Sequence, residues 1–281
     1  MMAGLLNSAA PLMLAGLGAL LSDLSGALGI FIEGFMVTGA FFSWVLAGRT
    51  GSAFLGTLTS AVFAGFAGWA LARFVRRSSA NPFIAGLALN LAASGLTLSL
   101  SAAWFGTKGV LHDPSIGLNI SGNIPVISPF TYTAWACTLV IAIGLKRTVP
   151  GLRLRASGLS PDAASDRGVQ TGHYREGAWA LAAFLASLAG AALTFRVGAY
   201  APGGIAGRGW IALATVYLGF RNAWGVAIAA IVFSLAERIG YGLQGFGTLP
   251  ATAILGLPSA LALVFYFIIR LFNSKSQRHK T

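Results

Sequence analysis

Residues 78–107 read SSANPFIAGLALNLAASGLTLSLSAAWFGT, and no charged side chain interrupts them. At ~1.5 Å per residue, a helix through the apolar part of this stretch is long enough to cross the ~30 Å hydrocarbon core of a bilayer. Uncharged runs of the same character cover residues 1–22, 50–72, 114–145, 177–195 and 239–269, with shorter ones at 34–48 and 222–236. A strand reading fails, because membrane strands are ~10 residues of alternating polarity, whereas these runs are continuously apolar and rich in Ala, Leu and Gly. Composition agrees: of 281 residues, 56% are hydrophobic and 9% charged, with a mean hydropathy of +0.76. Soluble domains carry roughly 25% charged residues. Disordered chains combine low hydrophobicity with high charge. Both classes are excluded.

The runs predict an all-α, polytopic transmembrane helix bundle of about nine spans, some of them broken or short. They lie near 5–22, 27–48, 54–74, 82–105, 129–146, 176–195, 207–220, 223–238 and 252–270. The whole chain, 1–281, reads as a single membrane domain, with 146–175 as the largest polar loop. The seventh segment is too short to cross untilted and reads as a half-helix or re-entrant piece. No basic residue precedes the first run, so it does not have the form of a signal peptide.

The net charge of +12 reflects membrane sidedness rather than nucleic-acid binding, because basic residues accumulate in cytoplasmic loops. Arg73, Arg76, Arg77, Lys146, Arg147, Arg153, Arg155, Arg167, Arg175, Arg221, Arg270, Lys275, Arg278 and Lys280 fall on one side under this threading. Arg49, Lys108, Arg196, Arg208 and Arg238 fall on the other. The first side is therefore expected to be cytoplasmic, with the N-terminus outside and the C-terminus inside. This parity requires the seventh segment to cross. Trp104, Phe105, Tyr132 and Trp135 flank the outer loop as an aromatic belt would. Small residues at Ala182, Ala186 and Gly190 permit close helix approach.

Several segments carry more specific information. Ser160-Pro161-Asp162-Ala163-Ala164-Ser165-Asp166-Arg167-Gly168 has the punctuation of a two-turn helix. Ser160 is a capping residue, Pro161 suits the first position, Asp162 faces the positive end of the dipole, and Gly168 can take the left-handed stop conformation. So short a helix is marginal alone; it is either an interfacial loop helix or a docking element for a cytoplasmic partner. Glu33, with Gly29 and Gly34 near it, puts a carboxylate near membrane depth, which is costly unless paired or hydrated. It either lines a pore at a helix break or anchors the structure. Asn90 must also find a partner and is a candidate for the translocation path. Gly204–Trp210 opens the seventh segment with a broken start, and there Arg208 and Trp210 could contact solute or anchor at the interface.

The remaining motifs carry no chemistry. Gly240-Tyr241-Gly242-Leu243-Gln244-Gly245 matches a dinucleotide fingerprint without its strand and reads as an outer turn. There is no phosphate-binding loop, so ATP hydrolysis is not expected in this chain. His112, His173 and His279 are dispersed, Cys137 is alone, and the acids are unpaired; no catalytic residue, resident cofactor or metal site is expected.

The run Gly26-Ala27-Leu28-Gly29-Ile30-Phe31-Ile32-Glu33-Gly34-Phe35-Met36 resembles the G-V-L-N-I-G-L-E-G-M-M string of ABC-importer permeases, in the branch handling nucleosides and simple sugars within the ribose and branched-chain amino-acid type. Asn81–Leu91 resembles that family's N-P-x-I-A-G-x-A-L-N-L segment, Gly151–Gly168 its coupling loop, and Gly207-Arg208-Gly209-Trp210-Ile211-Ala212-Leu213-Ala214 its G-R-G-[FYW]-I-A-L-A segment. The chain departs at Gly29 and Phe31, where the family has Asn and Gly, and at Ser259, where it often has Tyr. The resemblance implies an inner-membrane permease subunit paired with a second permease, identical or homologous. Two cytoplasmic ATPase subunits would bind ATP and Mg, and an extracytoplasmic binding protein would deliver solute. It also implies that residues 160–168 form the coupling helix. Within the branch, nucleoside-like and riboflavin-like solutes are both expected, and a simple sugar is the alternative. An ion-gradient-driven secondary transporter is a further alternative, but such a design needs intramembrane ionisable relays, and only Glu33 lies clearly at depth.

Overall fold

The computed structural model describes residues 2–112, 127–205 and 207–244. Ten helices occupy most of them: α1 (Met2–Leu24), α2 (Ile32–Thr50), α3 (Ala53–Ser78), α4 (Pro82–Phe105), α5 (Pro129–Arg147), α6 (Val149–Leu159), α7 (Pro161–Asp166), α8 (Thr171–Val197), α9 (Arg208–Leu218) and α10 (Ala223–Gln244). Two two-residue strands, β1 (Leu111–His112) and β2 (Ala199–Tyr200), pair antiparallel beyond the ends of α4 and α8. The helix boundaries follow local chemistry. Asn81 and Ser128 cap α4 and α5 with Pro in the first turn, Ser52 caps α3, and Gly51, Gly106 and Gly198 close α2, α4 and α8 in the left-handed conformation.

α8 and α1 form the centre. Their apolar windows are 78% and 72% buried, against 33% for α3 and 17% for α4, which present their apolar faces outward. The predicted small-residue ridge allows this. Ala182, Ala186 and Gly190 all face inward, with Gly18 seated on the Ala182 backbone and Gly190 on the Met36 carbonyl. Without a hydrophobic drive between helices in lipid, such close backbone approach supplies the packing energy. A buried Ser60–Ser187 hydroxyl pair at 3.2 Å adds a polar tie between α3 and α8.

One end of the bundle gathers the basic residues. Arg76 donates from Nε to Glu176 Oε1 at 2.7 Å, and Arg73 Nη1 lies 3.8 Å from Oε2 of the same buried carboxylate. Arg175 reaches the Ser25 carbonyl, and Arg221 pairs with Asp23 at 2.7 Å. The opposite end carries Arg49, stacked 5.5 Å over Trp104, and Arg238 beside Gly4. Asn7 of α1 holds Ser128 and Thr131 of α5 at that same end.

Among the described residues, five helices are long and apolar enough to cross a membrane, or six if α5 and α6, bent by 76°, form one span. Three expectations need correction. The polar loop 146–175 holds two helices before α8 rather than one. Thr148 caps α6 by accepting from the Gly151 N–H, and Pro150 sits in its first turn. Ser160 makes no side-chain cap, although α7 has the expected bounds and Gly168 the expected φ of +78°. Residues 240–244 continue α10 instead of turning; Gly245 lies outside the described residues, as do the ninth segment, Ser259 and the basic C-terminal residues.

Candidate functional site: a junction of two helix starts

α1 ends at the basic end, but α2 does not start there. Residues 25–31 turn back into the bundle as irregular chain, with Ser25 at 1%, Ile30 at 2% and Phe31 at 0% exposure. Backbone of this kind is tolerated at membrane depth only when it is buried in protein. Asn90, about 12 Å along α4 from Pro82, meets it. The Gly34 N–H donates to Asn90 Oδ1 at 2.7 Å, and Asn90 Nδ2 donates to the Ile30 carbonyl at 2.8 Å. These two backbone groups are the ones a regular helix would join directly, four residues apart. The Asn90 amide is inserted between them like a surrogate peptide, and α2 starts from it.

α9 is a half-helix. Its eleven residues span about 16 Å and cannot cross alone. The chain passes from β2 to the basic end through irregular residues 201–205 and 207 followed by α9. Its N-terminal residue Gly207, at φ +83°, donates its N–H to Glu33 Oε1 at 3.0 Å. Gly209 lies directly on Glu33; a Cβ there would stand 2.5 Å from Glu33 Cβ and 2.8 Å from its N.

Two helix N-termini, each carrying about half a positive charge, thus share one carboxylate. Glu33 occupies the first turn of α2 and bonds the start of α9. Its other oxygen, Oε2, accepts no hydrogen bond from the described residues, and a carboxylate oxygen so placed needs a donor from water or a bound group. Arg208 lines a cavity of about 350 Å³ with Arg196, Arg238, Glu237, Ser8 and Ser234. Trp210 is 46% exposed on the outer surface of α9. Of the four path candidates, the structure joins Glu33 to α9 and uses Asn90 to hold the break. It places Arg208 in the neighbouring cavity and Trp210 outward.

The segment Ser160–Gly168 sits apart, at the basic end. Pro161, Asp162, Ala163, Ser165, Asp166 and Arg167 are exposed, and only Ala164 is buried, at 6%. Sequence reasoning missed α6, which carries this helix; the Thr148–Pro150 signal was present but lay beside a run of arginines that reads as loop.

A helical bundle in which the start of α2 meets the start of a half-helix, α9, with a short exposed helix at its basic end, defines a polytopic membrane permease. The chain belongs to the family described as "Branched-chain amino acid transport system / permease component", which matches residues 1–272. It is 31% identical to a putative glucose ABC transporter permease protein of Haloferax volcanii, over 84% of this chain and 77% of that protein. It is 27% identical to a nucleoside ABC transporter permease protein of Lactococcus lactis, over 98% and 92% of the two chains. It is 29% identical to a guanosine ABC transporter permease protein of Bacillus subtilis, over 91% and 87%. No solved structure matches it.

Proposed function

We propose that this chain is the permease subunit of an ATP-binding-cassette importer that moves a nucleoside-like solute inward across the cytoplasmic membrane. ATP is hydrolysed on separate ATPase subunits seated against α7. A second permease copy or homologue completes the pathway, and a binding protein delivers solute to the opposite end. The basic end is cytoplasmic by the positive-inside bias, which places the N-terminus outside. Glu33, Asn90 and the start of α9 form the gated part of the path, where the Glu33–Gly207 contact closes it.

The observation that carries this reading is α7. A six-residue helix with five exposed positions cannot sustain itself in water, and it stands where a cytoplasmic partner would cover it. Nucleoside permeases among the relatives, covering 98% and 91% of the chain, support the solute class; the glucose permease relative favours a simple sugar as second reading. The test is co-purification with the ATPase. Asp162→Arg with Ala163→Arg, both at exposed positions, should abolish ATPase binding while leaving the permease folded. Retained binding would reject the docking role. Binding of purine nucleoside, glucose and riboflavin to the partner binding protein decides the solute, and glucose or riboflavin binding without nucleoside binding would overturn the proposed class.

A further inference from the structure

Two segments remote in sequence, α6 and the end of α9, converge on the last residues of α1 and the chain that follows it. Gly158, near the end of α6, lies against the main chain there: a Cβ at Gly158 would run into the Leu24 carbonyl oxygen and stand 2.8 Å from the Gly26 nitrogen. Gly26 has φ +85°, and a Cβ on it would stand 3.1 Å from Gly158 Cα. The contact is backbone on backbone, with no side chain between to absorb a displacement. From the same few residues two ties lead onward. Asp23 accepts from Arg221 Nε at 2.7 Å and from the Tyr217 hydroxyl at 3.2 Å, which fixes the far end of α9. Ser22 donates its hydroxyl to the Ala27 carbonyl at 2.8 Å, which fixes the re-entrant chain leading to Glu33 and α2.

We infer that the knuckle Asp23–Gly26 is where movement of the loop 146–175 reaches both α9 and the start of α2, and that Gly158 and Asp23 are its positioning residues. The inference rests on the reading of α7 as the ATPase-docking helix. α6 carries α7, since the Ala164 N–H donates to the Ser160 carbonyl at 3.0 Å where the two helices join. A push on α7 is delivered through Gly158 to the knuckle. Ser25, Ala27, Gly29, Ile30 and Phe31 are buried, with Gly26 exposed at the turn, and close-packed interior transmits strain rather than dissipating it. One input thereby moves the base of α9 through Asp23 and the start of α2 through the re-entrant chain. Both belong to the Glu33–Gly207 contact.

The test uses the complete transporter, permease with ATPase and binding protein, in liposomes, with solute uptake and ATP hydrolysis measured together. Gly158→Ala is expected to leave the ATPase bound while uptake per ATP hydrolysed falls about tenfold. Asp23→Asn, which leaves the Gly158 contact untouched, is expected to lower the same ratio, and exchanging the pair as Asp23→Arg with Arg221→Asp is expected to restore part of it. A merely structural role would lower the amount of assembled complex without changing the ratio. An assembled Gly158→Ala complex with an unchanged ratio overturns the inference. If Gly158→Ala does not assemble, an unchanged ratio in Asp23→Asn overturns it instead. Failure of the docking reading is distinguishable, because it appears as ATPase binding that survives Asp162→Arg with Ala163→Arg.

Discussion

Replacing Asn90 by Leu removes the amide that bridges Ile30 and Gly34 while keeping nearly the same volume, so the change isolates the polar term. Each buried backbone group left unpaired costs about 1–3 kcal/mol, and Asn90 serves two of them. Side-chain hydrogen bonds between membrane helices average nearer ~0.6 kcal/mol, because the altered chain often finds new partners. The decision rests on whether the Gly34 N–H can reach the Ile30 carbonyl unaided. Leu methyl groups occupy the amide's place and block that closure, so the higher range applies and a loss of about 2–4 kcal/mol is expected. Asn90→Ala opens space, lets α2 grow by part of a turn, and should cost less despite the cavity it leaves. The assay is reversible unfolding in mixed micelles by detergent titration, followed by tryptophan fluorescence; Trp179, with its ring 4.5 Å from that of Phe31, reports on this region. A stability change for Asn90→Leu within about 0.5 kcal/mol would refute the bridging argument, as would a larger loss for Ala than for Leu.

Two further changes probe the close contacts. Gly209→Ala would place a Cβ 2.5 Å from Glu33 Cβ, forcing α9 away from α2; solute uptake should be lost while the ATPase still co-purifies, and normal uptake would show that the two helix starts need not touch. Gly190→Ala would drive a Cβ into the Met36 carbonyl and to 2.9 Å from the Ala40 nitrogen. It should therefore destabilise the α2–α8 packing by about 1–3 kcal/mol, whereas Gly95→Ala, with nothing within 4 Å, should be neutral or stabilising in the same titration.

The two ends of the chain's chemistry differ in how far they could be read. α4 begins at Pro82, where the expected span 82–105 begins, and α7 has its predicted bounds, because helix starts depend on residues within one turn. The Ser160 cap failed because that residue also ends α6, where its own N–H donates to the Ala156 carbonyl and its backbone sits at φ −149°, ψ 83°. Glu33 was visible as a costly charge beside glycines. Its partner was not, since Gly207 lies 174 positions away and nothing in a local pattern couples the two. The same holds for Asn90, whose role as a bridge depends on chain 56 and 60 residues earlier.

By itself the sequence determined the solvent: runs too long and too apolar for water must lie in lipid, and the scarcity of charge with its uneven placement sets which ends can leave it. It also determined where the rods break, because Gly, Pro and capping residues act within a single turn. Only the tertiary structure decided which rods are central, since uniformly apolar helices have no polar face to declare their inward side and small residues alone settle how near they come. It alone brought Glu33 to α9 and Gly158 to the end of α1, because such contacts are fixed by the packing of whole helices and leave no periodic trace in the chain.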